Sequence, residues 1–150
     1  MYEGLQKAND GYYYYLMGRG AYVAHTEKLV EGSWRWFDEK GHMAINAAVK
    51  LPDGRVYFYN QDGCMVMDFV GLAIAQDGNA YYILGYGNFV YNQGKVINGK
   101  EYWFGADGKM IREKAVKHTT GQVFYYDANG VKNPDFRGVC QEIMGPWYLS

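Results

Sequence analysis

At 150 residues, with 15 basic and 16 acidic side chains dispersed along it for a formal net charge of −1, the chain has the length of one domain. That distribution leaves no electrostatic footprint for nucleic acid or an anionic membrane surface, and no apolar run approaches the ~18 residues of a spanning helix, so neither nucleic-acid binding nor membrane insertion is expected. The 16 Tyr and 20 Gly against 3 Pro suit short aromatic strands joined by tight turns.

The N-terminal stretch MYEGLQKAND has neither a basic flank nor an apolar core, and no export signal is read in it. From Gly11 onward one pattern recurs six times. Glycines stand in pairs nine residues apart: Gly11 and Gly20, Gly32 and Gly41, Gly54 and Gly63, Gly78 and Gly87, Gly99 and Gly108, Gly121 and Gly130. The second members follow one another at intervals of 21, 22, 24, 21 and 22 residues. Five positions before each second glycine lies an aromatic residue (Tyr15, Trp36, Phe58, Tyr82, Trp103, Tyr125), and four before it an apolar or aromatic one (Leu16, Phe37, Tyr59, Ile83, Phe104, Tyr126). Neighbours on a strand point to opposite faces, so both faces of each strand are hydrophobic.

The segments ending at the second glycine, among them DEKG, NQDG, GADG and DANG, have the Asp or Asn and the glycine of a tight turn. Strand, turn and return strand then make a β-hairpin. Two residues past the turn, Tyr22, Met43, Met65, Phe89 and Met110 give the return strand an apolar contact, with Lys132 in the last copy. Connectors with a small apolar pair, such as Leu29-Val30 and Ala48-Val49, lead to the next hairpin.

One hairpin buries too little surface to offset the entropy of ordering it, so the hairpins must stack. The expected fold is all-β, a β-solenoid of about six stacked β-hairpin repeats of 21–24 residues. A single repeat domain fills residues 1–150, with repeats over about 10–133 and a C-terminal cap over about 134–150 that includes Pro146-Trp147-Tyr148. Cys64 and Cys140 lack metal-type spacing and are read as free thiols, with a bridge between them left open.

GKEYWFGADGKM, GRVYFYNQDGCM and GSWRWFDEKGHM resemble the bacterial cell-wall-binding repeats. That group includes choline-binding modules, glucan-binding repeats of glucansucrases and the repetitive domains of large clostridial toxins. The resemblance covers roughly residues 10–133 and implies a hairpin solenoid that binds sugars or choline-decorated polymers. Of the positions that build a choline cage in such modules, the one seven before the turn glycine is aromatic only at Tyr13 and Trp34. None of the four tryptophans (Trp34, Trp36, Trp103, Trp147) lies in a connector, so the pattern looks more like the carbohydrate-binding branch.

A sugar site needs flat rings for the apolar pyranose face and polar groups for its hydroxyls. The candidates are Tyr13, Tyr15, Trp34 and Trp36 in the first two units, Tyr102 and Trp103 in the fifth, and Met43 as a possible thioether lining. Each has a structural alternative as solenoid core, which is the stronger reading for any single aromatic and for Met43. Arg35 is either a donor to an anionic sugar or a solvated charge. Asp62 and Asp107 occupy turn positions, and the three histidines show no metal-ligand or catalytic spacing, so no catalytic residue, metal or cofactor is expected. The expected activity is non-catalytic attachment to a cell-wall polysaccharide, teichoic acid or glucan through aromatic grooves between hairpins. The expected location is extracellular or cell-wall associated, in a fragment of a larger secreted protein or a phage-type protein. A structural or protein-interaction solenoid is the alternative.

Overall fold

The structure is a computed structural model that describes residues 4–138. Tyr148, Pro146, Trp147 and Cys140, and with them most of the expected cap, lie outside the described residues. Every named element among the described residues is a β-strand, and the strands form six small antiparallel sheets. The first sheet joins β1 (Gly4–Lys7), β2 (Tyr13–Gly18) and β3 (Ala21–Tyr22), and the second pairs β4 (Thr26–Val30) with β5 (Ser33–Phe37). The third joins β6 (Ala47–Lys50), β7 (Val56–Tyr59) and β8 (Met65–Val66); the fourth joins β9 (Gly71–Ile74), β10 (Ala80–Gly85) and β11 (Asn88–Phe89). The fifth pairs β12 (Gln93–Ile97) with β13 (Lys100–Phe104), and the sixth joins β14 (Lys114–Lys117), β15 (Val123–Tyr126) and β16 (Lys132–Asn133).

The phase of the hairpins differs from the sequence reading. Each expected connector is itself a strand, paired with the aromatic strand that follows it through a turn at the first glycine of the pair. Val30 thus faces Ser33 across Glu31-Gly32, where both residues have positive φ (51° and 81°). This is the twist that a two-residue hairpin turn requires. The second glycine closes a smaller turn, and the return strand beyond it is two residues long or a single bridge such as Phe37 to Met43. The apolar pairs that resembled linkers lie on the longer strand, and in Leu29-Val30 and Leu72-Ala73 the second residue is buried while the first is exposed.

The second glycines carry a tertiary constraint as well. Gly63 has φ 78°, and a Cβ placed there would lie 2.5 Å from Cε of Met43, which belongs to the preceding repeat. Met110 meets Gly130 in the same way, at 2.5 Å from its Sδ. The apolar residue two past one turn therefore packs onto the glycine of the next turn.

A longer period overlies the hairpins. All eight strands β1–β8 recur 67 residues later as β9–β16, from Gly4–Lys7 and Gly71–Ile74 through to Met65–Val66 and Lys132–Asn133. The repeating element is a triplet of hairpins, residues 4–70 and 71–137. Two of the three junctions in a triplet turn on a left-handed residue: His25 and Asn46 in the first triplet, Asn92 and Glu113 in the second. Each donates its N–H to a carbonyl of the turn ahead, His25 to Asp38 O at 2.8 Å and Asn92 to Gly105 O at 3.0 Å. The third junction uses Asp-Phe instead, with Phe69 stacked on Phe58 (4.3 Å) and Phe136 on Tyr125 (4.2 Å).

By packing, the chain divides into two compact units, 4–89 and 90–138 among the described residues. In the first, one cluster centres on Trp36, Val49, Leu51, Tyr57 and Tyr59, and a second on Ala48, Val56, Ala73, Tyr81 and Ile83. A parallel bridge from Ala48 to Ala75 ties the third sheet to the fourth. In the second unit Phe104 and Tyr126 are buried.

Candidate functional site

The first unit holds an open cleft of about 700 Å³. Its rings are Tyr12, Trp36 and Tyr81, its floor includes Ala48 and Val49, and its rim carries Asp38, Lys40, His42, Lys50 and Asp77. Local turns set these groups in place. Residues 8–12 close a turn in which Ala8 N–H donates to Tyr12 O at 2.9 Å and Asp10 Oδ1 accepts the Tyr12 N–H at 3.0 Å. The Tyr14 hydroxyl donates to the other Asp10 oxygen. This bond holds the Asp10 carboxyl below its ordinary range and pushes the Tyr14 hydroxyl up to about 12. In the next hairpin Asp38 Oδ1 accepts the N–H groups of Lys40 and His42, both at 2.9 Å, in an Asx-type turn.

These two turns bring Tyr12 and His42 face to face, with ring centroids 3.6 Å apart and planes at 7°. Tyr14 meets the same imidazole edge-on at 5.4 Å, and Asp38 Oδ2 lies 4.0 Å from its Nδ1. His25 stands edge-on to Trp36 at 5.8 Å. A smaller hollow of about 200 Å³ adjoins Trp36, lined by His25, Glu27, Leu51, Pro52 and Asp53.

The residues singled out from sequence fall into separate surroundings. Trp34 is 43% exposed on β5, in register with exposed Leu29. Trp36 is 6% exposed and borders both cavities. Met43 is 4% exposed, with its thioether against Gly63 and 3.8 Å from an Arg35 nitrogen, so its contacts are those of core. Tyr13 and Tyr15 are half-buried beneath lysines, Lys7 Nζ at 6.0 Å and Lys28 Nζ at 4.8 Å from the ring centroids. Tyr102 is half-buried and registers with Lys95, while Trp103 lies 4.9 Å from the ring of His118.

Arg35 corrects the reading of a solvated or sugar-facing charge. It is 6% exposed and donates to Asp62 O at 2.6 Å and to Val30 O at 3.4 Å, so its guanidinium ties the second hairpin to the turn of the third. The candidates read from the sequence do not include Tyr12, His25 and His42, which line the cleft. The run GYYYYL announced an aromatic cluster, but only the facing turns join its first tyrosine to a histidine thirty positions on.

Geometry and repetition together define the class: an array of short β-hairpin repeats that leaves an aromatic cleft between them. Residues 94–132 match the choline-binding repeat, a repeat of the choline-binding and glucan-binding group. It is 31% identical over 121 residues to Glucosyltransferase-S of Streptococcus mutans, covering 81% of this chain and 8% of that protein. It is 25% identical over 118 residues to Glucosyltransferase-I of Streptococcus downei, covering 79% of this chain and 7% of that protein. The chain thus spans less than a tenth of the length of both relatives. In fold it is similar to alternansucrase solved in complex with isomaltotriose, at 20% identity and a TM-score of 0.64, covering 91% of this chain and 11% of that one.

Proposed function

We propose that the chain is a non-catalytic module that attaches to a carbohydrate of the bacterial cell surface, a wall polysaccharide, teichoic acid or glucan, through its aromatic clefts. The observation that carries this reading is the 700 Å³ cleft, where rings and an apolar floor meet a rim of carboxylates, lysines and imidazoles. That combination suits a sugar, whose C–H face stacks on rings while its hydroxyls take polar partners. The glucosyltransferase relatives and the isomaltotriose of the alternansucrase structure favour a glucose polymer. We read the hairpin-on-hairpin packing within residues 4–89 as the repeat of a β-solenoid. A polymer presenting many epitopes gains avidity from several weak sites on one scaffold. An extracellular or wall-associated setting follows from such a ligand.

Co-sedimentation with Gram-positive cell walls and with insoluble α-glucans tests the reading. Pelleting with one of these polymers, competed by the soluble form, is the expected result. A chain that stays in the supernatant with every wall and glucan has no such function and leaves the interaction solenoid in its place.

A further inference from the structure

We propose that the principal ligand site is a composite of two successive triplets, closed by the same turn of each, and that it takes a neutral, hydroxyl-rich saccharide with Tyr12 as its stacking platform. This rests on the binding reading above and gives it a place and a ligand class. The turn at residues 8–12 of the first triplet contributes Tyr12; the equivalent turn of the second, residues 75–79, contributes Gln76 and Asp77. Between them stand Trp36, Asp38, His42 and Lys50. The site therefore joins hairpins one triplet apart, rather than filling a groove between consecutive hairpins.

Tyr12 is 47% exposed although one face of its ring is covered by His42, which leaves the opposite face for a ligand. The ring is held before any ligand arrives: its N–H is fixed by Asp10, and His42 is fixed by Asp38 and Tyr14. A preorganised ring loses little freedom on binding, which is where affinity for a flexible saccharide is otherwise lost. His42 is a positioning residue here, acting through Tyr12.

The charges select the ligand. Asp38, Glu39 and Asp77 face Lys40 and Lys50 around the cleft, a near balance that attracts no polyanion. A quaternary ammonium gains most when several rings enclose and desolvate it, whereas this cleft is open and carries two lysines. Carboxylates that accept and ammonium groups that donate, set around a ring, match the alternating hydroxyls of an uncharged pyranose. The second triplet lacks the set: 67 residues on, Tyr12, His25, Asp38, Glu39 and His42 become Asn79, Asn92, Gly105, Ala106 and Lys109. The described residues thus hold one such site.

Trp36 borders the cleft, so its fluorescence reports occupancy. The test titrates the whole chain with isomaltotriose, choline chloride and a glycerol-phosphate oligomer. It is run on wild type, Tyr12→Ala, Tyr12→Phe, His42→Ala and Trp34→Ala, with folding checked by circular dichroism. Expected are 1:1 binding of isomaltotriose alone and a loss of about tenfold in Tyr12→Ala. Tyr12→Phe keeps the ring and stays near wild type, His42→Ala is weakened and Trp34→Ala is unchanged. Wild-type affinity in folded Tyr12→Ala overturns the site, and so does loss in Trp34→Ala alone. Preference for choline or the phosphate oligomer overturns the ligand class, as does silence toward isomaltotriose in a chain that pellets with walls or glucans. A chain that pellets with nothing fails the broader binding reading instead.

Discussion

The two triplets carry one backbone plan, and a strand, an inter-hairpin tie and a tyrosine pair show how differently they furnish it. Trp34-Arg35-Trp36 on β5 becomes Glu101-Tyr102-Trp103 on β13. In the first triplet the tie from this strand to the following hairpin is the buried Arg35 guanidinium on the Asp62 carbonyl. In the second it is an ion pair, Lys132 Nζ to Glu101 Oε2 at 2.9 Å, with the same ammonium 3.8 Å over the Phe124 ring. The tyrosine pair is Tyr59 and Tyr126, both buried. Tyr59 has no hydrogen-bond partner for its hydroxyl, whereas Tyr126 bonds His118 Nε2 at 2.9 Å. Glycine turns and the aromatic grid specify the fold; what occupies the remaining positions is free to diverge, and the cleft chemistry at Tyr12 and His42 is one product of that freedom.

The sharpest break of this comparison is at the inter-hairpin ties. Arg35→Leu removes the charge-assisted bonds of a buried guanidinium to the Asp62 and Val30 carbonyls, so urea unfolding should show a loss of about 2–4 kcal/mol. Glu101→Gln cuts an exposed pair and should cost less than about 1 kcal/mol. Equal effects would mean that the two ties are not alternative solutions to one task.

Next in size is a contrast between glycines. Gly63→Ala places a methyl group at positive φ against Met43, while Gly54→Ala meets the same backbone strain with nothing within 4 Å. The first should cost about 2 kcal/mol or more and the second about 1 kcal/mol, read from denaturation midpoints. The tyrosine pair should give opposite signs: Tyr59→Phe removes an unpaired buried hydroxyl and gains about 1 kcal/mol, while Tyr126→Phe loses a bond and about 1 kcal/mol.

The smallest effect is in pH. Burial raises the Tyr59 hydroxyl and pushes Tyr126 up to about 12. A raised folded-state value means that the stability is whole below the ordinary tyrosine value near 10 and is lost as pH climbs toward and through about 12. Difference absorbance near the tyrosinate band should show these two hydroxyls ionising together with alkaline unfolding rather than with the exposed tyrosines.

Much of this organisation was legible in the sequence, because paired glycines and flanking aromatics act locally. All six turns at the second glycines form where the spacing puts them, and each residue five before them lies on a strand. The connector strands were not legible, since a short pair such as Leu29-Val30 is compatible with a linker until its partner across Glu31-Gly32 is known. The triplet period was present in the intervals but masked by strong similarity among single hairpins. Arg35 and the Tyr12 and His42 pair depend on contacts between hairpins. No local pattern distinguishes an arginine that will meet Asp62 from one that will meet water.

Backbone and indole chemical-shift mapping with isomaltotriose reads directly whether a saccharide occupies the cleft between the Tyr12 and Asp77 turns. A saccharide seated there shifts only Tyr12, His42, the Trp36 indole and the turn around Asp77. Shifts centred on the Trp34 indole or around Trp103, with the cleft silent, would contradict it.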